Sequence, residues 1–381
     1  MKILHLINDH QVTERTLGVY EELFPHQNEV LLFNKTKKTK HLSKYVSCPL
    51  VNSRNVRKIA KNYDFSGVTH VIAHYMTMEK IDFIKYVPNN VHVCWEVYGF
   101  DLYNQFLAPN GFQISYTNQL KYHPHSFSLK YFPLFVKIGL FFKGHRYPFA
   151  WQINNQFKYI SNRVDSIQYC CKYDAQYIEE FAHRQIRSYE TFNYSLSEVL
   201  GDLKDAPFST GRNILIGNSA SFSNNHLYVL ELLKGIELGN DVNLIIPVSY
   251  GGKPKYIKEI IKCYSLRYPG KVKFLKDYMP LHEYNRMFTS LNACILSAWR
   301  QESIGTIIMC LYMGIKVFMS GRSPLYKWLL ECGFTLFEIE DAAREDLEKP
   351  LERNVQQHNR DLVLQRYNDK QIAENLSNNI F

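Results

Sequence analysis

Arg300 and the segment Gln301-Glu302-Ser303-Ile304-Gly305-Thr306 carry the pattern with the most chemical content in this chain. They stand between an apolar run, Ala293-Cys294-Ile295-Leu296-Ser297, and a segment that reads as a helix to Met313. A helix that starts at the carboxyl end of a parallel strand leaves its first N–H groups unpaired and its dipole positive, so the junction favours an anion. Ser303 is placed to cap that helix, and the Gly305-Thr306 pair lets a ligand approach its first turn. Arg300 adds a bidentate phosphate donor at the mouth. Gly314 then ends the helix as a left-handed cap before a strand at 315–319. Taken alone, an ordinary strand–helix–strand unit with a polar connector reads the same way.

Two further junctions of the same kind lie nearby. Asn213-Ile214-Leu215-Ile216 reads as a short strand running into Gly217-Asn218-Ser219-Ala220-Ser221-Phe222-Ser223-Asn224-Asn225-His226. A helix with apolar spacing at Leu227, Leu230 and Leu233 follows, and Asn224 or Asn225 can cap it. Gly, Ser and Asn tolerate unusual backbone angles and donate to oxygen. A third strand, ending in Ile246-Pro247, opens onto Val248-Ser249-Tyr250-Gly251-Gly252. Neither G-x-G-x-x-G nor a Walker lysine is present. Three polar loops at the carboxyl ends of strands in one α/β unit are where open parallel sheets bind ligands.

The first half offers acid–base chemistry instead. His74 and Asp101 both follow apolar strand-like runs, and Glu96 shares the loop of Asp101. A carboxylate there can take a proton from an acceptor hydroxyl. The structural alternatives are a backbone-bonded His74, a turn-capping Asp101 and a solvated Glu96. No D-x-D occurs, which argues against a sugar transferase that holds its diphosphate through a metal. Neutralising charge would then come from Arg300, the helix start and loop amides. No cysteine pairs as C-x-x-C and no ligand cluster has zinc spacing, so neither a metal nor a cofactor is expected.

The elements that would position these residues alternate in the α/β manner. Strands are expected at 2–7, 29–33, 70–73, 91–95 and 166–170, with helices at 13–24 and 172–183. A polar connector at 197–212 separates this half from the second α/β unit. The expected organisation is an acceptor and membrane-facing domain at 1–205, a donor domain at 206–345 and a helical tail at 346–381 that can pack back on the first domain. The fold class is α/β, two Rossmann-like domains facing across a cleft.

The net charge of +9 is uneven. From Leu102 to Val164 there is no Asp or Glu, while Lys121, Lys130, Lys137, Lys143, Arg146, Lys158 and Arg163 stand among many aromatics. Residues 130–143 are apolar with lysines at intervals, a composition suited to an anionic membrane interface. A buried helix with outward lysines is the alternative. A nucleic-acid surface lacks any accompanying motif, so no nucleic-acid partner is expected. No run reaches the length of a membrane span, and the first residues lack a signal-peptide core. The eight cysteines read as reduced, buried small residues of a cytosolic protein.

Together these residues resemble the TDP-N-acetylfucosamine:lipid II N-acetylfucosaminyltransferases, glycosyltransferase family 56. The resemblance rests on Ile214–Ser219 with Ser223-Asn224 and His226, on Ile246-Pro247 with Tyr250-Gly251 and Tyr256-Ile257, and on Tyr284. Arg300-Gln301 with Ile304-Gly305-Thr306 extends it, as do His74 and Tyr98-Gly99-Phe100-Asp101-Leu102-Tyr103. Glu96 stands where the family has histidine, Tyr98 where it has tryptophan, and Glu302-Ser303 where it has a Gln-Gly pair.

The resemblance implies a two-domain GT-B fold, a nucleotide-sugar donor and an acceptor on undecaprenyl diphosphate at the cytoplasmic face of the bacterial inner membrane. The implied reaction moves a deoxyamino sugar from a dTDP-sugar to that lipid-linked saccharide, without metal. Catalytic candidates are Asp101, His74 and Glu96. Donor-binding candidates are Gly217, Asn218, Ser219, Asn225, His226, Pro247, Tyr250, Tyr284, Arg300, Gln301, Ser303, Ile304, Gly305 and Thr306. Two other readings stay open: transfer of another sugar from UDP or GDP in O-antigen or capsule synthesis, and a non-catalytic nucleotide-binding membrane scaffold.

Overall fold

The structure is a computed structural model that describes residues 1–10, 12–36, 38–42, 48–107, 134, 138, 150–192 and 195–380. The described residues of 1–112, 128–195 and 369–381 form one compact unit, and those of 196–368 a second. Each is built on a parallel sheet.

The first sheet contains β1 (Lys2–Ile7), β2 (Asn28–Phe33), β3 (Leu50–Val51), β4 (Val68–His74), β5 (His92–Glu96), β6 (Ser166–Tyr169) and β7 (Arg187–Glu190). Their spatial order is β3-β2-β1-β4-β5-β6-β7. β1 is buried from Ile3 to Ile7 and pairs β4 with Leu4 opposite Val71 and Leu6 opposite Ala73. Such continuous apolar burial is expected of a strand covered on both faces. Helices α1 (Thr13–Leu23) and α2 (Met78–Ile84) follow β1 and β4. Thr77 Oγ1 accepts the Lys80 N–H and so caps α2.

The second sheet contains β8 (Asn213–Ile216), β9 (Leu244–Pro247), β10 (Val272–Leu275), β11 (Leu291–Leu296), β12 (Lys316–Met319) and β13 (Phe337–Glu338), in the order β10-β9-β8-β11-β12-β13. β8 and β11 pair in parallel, with Leu215 opposite Cys294 and Ile216 opposite Ile295. Four helices follow β8, β9, β10 and β11 in turn: α3 (His226–Leu232), α4 (Pro254–Arg267), α5 (Leu281–Met287) and α6 (Ile304–Tyr312). α6 stops as its sequence dictates. Gly314 takes φ +68°, its N–H donates to Leu311 O, and the Ile315 N–H donates to Cys310 O. The final helix, α7 (Asp369–Ile380), belongs to the first unit.

Among the described residues no helix is long and apolar enough to cross a membrane. Cys94, Cys170, Cys171, Cys294 and Cys310 are buried free thiols. Most of the basic aromatic stretch lies outside the described residues. Within it Leu134 and Ile138 have helical backbone and expose 65% and 41% of their surface.

Candidate functional site

In the second unit the loops after β8, β9 and β11 lie against one another. Gly217 leaves β8 with φ +69°, and its N–H donates to Ile295 O at 2.9 Å. A Cβ there would stand 2.8 Å from His226 Nε2 and 3.0 Å from Asn224 Oδ1, so only glycine fits. Asn224 then stitches the region. Its Oδ1 accepts the Asn218 N–H at 3.1 Å, and its Nδ2 donates to Ser219 Oγ at 3.3 Å and to Glu302 Oε1 at 3.2 Å. Asn225 Nδ2 donates to Ser297 O at 2.7 Å. The β9 loop joins through the Ala220 N–H, which donates to Tyr250 O at 2.9 Å. Pro247 is the buried last residue of β9, and the Tyr250 side chain is 52% exposed.

Arg300 is largely buried, and its Nε lies 2.9 Å from Glu302 Oε2. Glu302 therefore joins the β11 loop to the β8 loop. Tyr284, on α5, hydrogen-bonds the side chain of Thr306 in the first turn of α6, and burial raises its phenol. Gln301 and Ile304 are buried, and Gly305 and Thr306 are half-buried. Among the sequence-predicted donor residues, Gly217 packs against His226, Asn224 ties Asn218 to Ser219, and Tyr284 bonds Thr306.

Two expected caps do not form. Ser303 precedes α6 with φ +67° and ψ +23°, and Asn225 precedes α3 with φ +53° and ψ +37°; neither makes a side-chain cap hydrogen bond. A capping side chain needs the extended backbone that swings its oxygen over the first turn, and left-handed residues lack it. The first turn of α6 is thus left without a side-chain cap. In the β8 and β11 loops and at the start of α3, Asn218 Oδ1, both ring nitrogens of His226, Ser297 Oγ, Gln301 Oε1 and Ser303 Oγ are buried without hydrogen-bond partners. Burial lowers His226 to about 3, so its ring is neutral.

The acid–base candidates of the first unit lie at the ends of β4 and β5. His74 and Glu96 are fully buried, with His74 Nδ1 2.6 Å from Glu96 Oε2. His74 Nε2 lies 2.8 Å from His5 Nδ1, and His5 Nε2 lies 2.9 Å from Asn28 Oδ1. The amide of Asn28 fixes every proton in this row. Its Nδ2 donates to Phe24 O and Glu21 Oε2, both at 2.8 Å, so its Oδ1 must accept from His5 Nε2. His5 Nδ1 then accepts from His74 Nε2, and a single proton remains between His74 Nδ1 and Glu96. Burial raises Glu96 to about 8 and lowers His74 to about 3, which favours a neutral carboxyl beside a neutral ring.

Asp101 is 3% exposed and fully engaged. Its Oδ2 accepts the Met76 N–H and the Trp95 Nε1–H, both at 2.8 Å. Its Oδ1 accepts the Tyr98 N–H at 3.1 Å, and the Leu102 N–H also bonds the carboxylate. Asp101 clamps the loop after β4 to the loop after β5. Lys80 adds a second tie, its buried Nζ donating to His74 O at 2.6 Å and Tyr75 O at 2.8 Å. Neither His5 nor Lys80 is among the residues the sequence patterns mark, while Asn224 enters there only as a cap and a family match and Glu302 only as a departure from the family pair. His5 was the most legible, a lone histidine inside the apolar run of β1.

Residues 149–375, more than half of the chain, match the family model described as 4-alpha-L-fucosyltransferase, glycosyl transferase group 56. The chain belongs to this family. Solved structures share its architecture. The Anabaena HepE protein, crystallised with UDP and glucose, is 13% identical with a TM-score of 0.62, covering 100% of this chain and 99% of its own. A glycosyltransferase from Rickettsia africae is 13% identical with a TM-score of 0.59, covering 100% and 97%. Sucrose-phosphate synthase from Thermosynechococcus elongatus is 11% identical with a TM-score of 0.61, covering 99% and 98%. At these identities the likeness carries the fold alone: the glycosyltransferase has the GT-B fold, with a nucleotide-sugar donor as its substrate class.

Proposed function

We propose that the enzyme transfers a deoxyamino sugar, N-acetylfucosamine-like, from a dTDP-sugar to a polyprenyl-diphosphate-linked saccharide of a bacterial surface polysaccharide. One observation carries the donor site: Asn218, His226, Ser297, Gln301 and Ser303, in the adjoining β8 and β11 loops, keep buried polar atoms without partners, and the α6 start that follows Arg300 is uncapped. Buried polar groups are normally satisfied, and a nucleoside diphosphate sugar offers complementary donors and acceptors.

In this reading the acceptor oxygen bonds the anomeric carbon as the glycosyl–phosphate bond breaks, and the hydroxyl proton passes to the departing phosphate. The departing nucleoside diphosphate takes up negative charge, which Arg300 and the first-turn N–H groups of α6 neutralise in place of a metal. His74, Glu96 and Asp101 act by position. The first two expose no surface and the third has its lone pairs filled by N–H donors, so they hold the loops that meet the acceptor.

The acceptor lies on the membrane, and the enzyme reaches it peripherally, at the cytoplasmic face of the inner membrane. Leu134 and Ile138, both apolar and both exposed within the basic stretch, support this reading. The test is calorimetry with dTDP, UDP and GDP, followed by transfer of labelled sugar from the preferred donor to an undecaprenyl-diphosphate saccharide. Preference for UDP or GDP would favour the other-sugar reading. Binding without donor turnover or hydrolysis would favour the scaffold.

A further inference from the structure

Four rings gather at the carboxyl ends of β1, β4 and β5, away from the buried histidine row. They belong to His10, Tyr75, Tyr98 and Phe100. All six centroid separations among them fall between 4.8 and 6.3 Å. Rings so close leave no room for a ligand between them, so a ligand meets their outer faces. His10, Tyr75 and Phe100 are half-buried and only Tyr98 is nearly covered, at 9% exposure. The cluster is therefore an open rim, not part of the core.

Its position and its backbone both point to a ligand. In the order β3-β2-β1-β4-β5 the connections leave β1 in one direction and β4 in the other, and the crevice at such a switch point is where parallel sheets bind ligands. Tyr75 has φ +46°, a left-handed angle that disfavours an aromatic residue. The fold maintains it with three ties. The Tyr75 N–H donates to Glu96 O at 3.0 Å, Tyr75 O accepts from Lys80 Nζ, and Lys80 Nζ lies 4.3 Å from the Tyr75 ring centroid. Strain held in this way concentrates at functional positions. Gly99, with φ +83°, lets Tyr98 and Phe100 flank one sharp turn.

We infer that His10, Tyr75 and Phe100 form an aromatic platform on which a pyranose ring of the saccharide acceptor stacks. The inference rests on the transferase reading above and gives its acceptor a seat. The axial C–H groups of a pyranose carry slight positive charge and suit the negative face of an aromatic ring. The edge supplies a directional contact as well. His10 Nδ1 accepts the Val12 N–H at 3.4 Å, so the neutral ring carries its proton on Nε2, which can donate to a sugar hydroxyl. Burial lowers His10 to about 4 and keeps that neutral form through physiological pH. Two residues earlier Asn8 keeps a buried Oδ1 without a partner.

The test uses the full chain with chitobiose, a water-soluble disaccharide, as probe and saturation-transfer NMR as readout. Wild type should transfer saturation from its aromatic protons to the pyranose C–H protons. Phe100→Leu, which keeps apolar bulk without a ring, should weaken the signal about tenfold, the scale of one lost stacking contact. Phe100→Tyr should retain it. dTDP binding, measured by calorimetry, should be unchanged in both variants, and an unchanged melting temperature reports that the unit holding Phe100 is folded. No transfer in wild type, or equal transfer in Phe100→Leu, overturns the platform. So does a signal from farnesyl phosphate with none from chitobiose, which would give the rings to a lipid chain. Loss of dTDP affinity in a Phe100→Leu protein that melts normally would give them to the nucleotide and equally overturn it. Chitobiose binding by a wild type that ignores all nucleotides would leave the platform standing and sink the donor reading instead.

Discussion

His74 Nδ1 lies 2.6 Å from Glu96 Oε2, and neither side chain has any exposed surface. The Asn28–His5–His74 row leaves one proton for this pair, and burial assigns it to the carboxyl. The consequence is a pH dependence of known sign. The folded pKa of Glu96 is raised to about 8 from the ordinary 4.5. Its contribution is present in full below pH 4.5 and is lost as pH rises toward 8, because only the unfolded chain releases the proton in that window. Glu96→Gln keeps a donor toward His74 and cannot ionise. The melting temperature of wild type should therefore fall relative to Glu96→Gln as pH rises from 5 to 8. Parallel curves would mean that the folded pair holds no proton in this range.

Asp101 yields a prediction that separates position from proton transfer. Four N–H groups point at its carboxylate, from Met76, Trp95, Tyr98 and Leu102. In Asp101→Asn one acceptor oxygen becomes a donor facing donors. That should cost about 1–3 kcal/mol of stability, the scale of a buried unsatisfied group. A general base would add a second effect: turnover measured well below the melting temperature would fall by about a hundredfold or more. Thermal melts read beside turnover distinguish the two.

The sequence made the interior strands legible and the margins not. β1, β4, β5, β8, β9 and β11 appear as apolar runs within a residue or two of their bounds, because strands covered on both faces must be apolar throughout. The four strands that escaped notice, β3, β7, β10 and β13, are the edges of the two sheets. β7 and β13 have no buried residue, so no pattern announces them. The same logic governs the sites. Arg300 and the Gly217 loop were readable because their residue types and spacing are unusual next to strands. The left-handed angle of Ser303 and the joining of Asn224 to Glu302 depend on loops 78 residues apart in sequence, and no local pattern encodes that.

Ser303 turns this into a stability test. It holds φ +67° without a capping bond, and its Oγ is buried without a partner. A left-handed angle costs a non-glycine residue about 1–2 kcal/mol, partly offset by the greater chain entropy of glycine. Ser303→Gly should therefore stabilise the donor-free protein by about 1 kcal/mol. If Oγ also contacts the donor, nucleotide affinity should fall in the same variant. A lower melting temperature for Ser303→Gly would show that the serine is held by contacts worth more than its strain.

Arg300 is the sharpest test of the donor site. Its side chain is already desolvated and partly neutralised by Glu302, so the fold has met the cost of burying a guanidinium before any ligand arrives. A diphosphate beside it gains a charge-assisted bond with little further desolvation of the protein. Arg300→Ala should weaken nucleotide binding by about 1.5–3 kcal/mol, and it strands Glu302 near an anion. Arg300→Lys keeps the charge and loses the planar fork, so it should recover part of that affinity only. If the leaving group is neutralised by this cation and the α6 amides, as proposed, wild-type turnover should survive excess chelator. Calorimetry with dTDP and turnover with and without EDTA check both statements. Equal nucleotide affinity in Arg300→Ala and wild type would remove the diphosphate from this helix start. Activity abolished by EDTA and restored by magnesium would replace Arg300 with a metal as the source of charge.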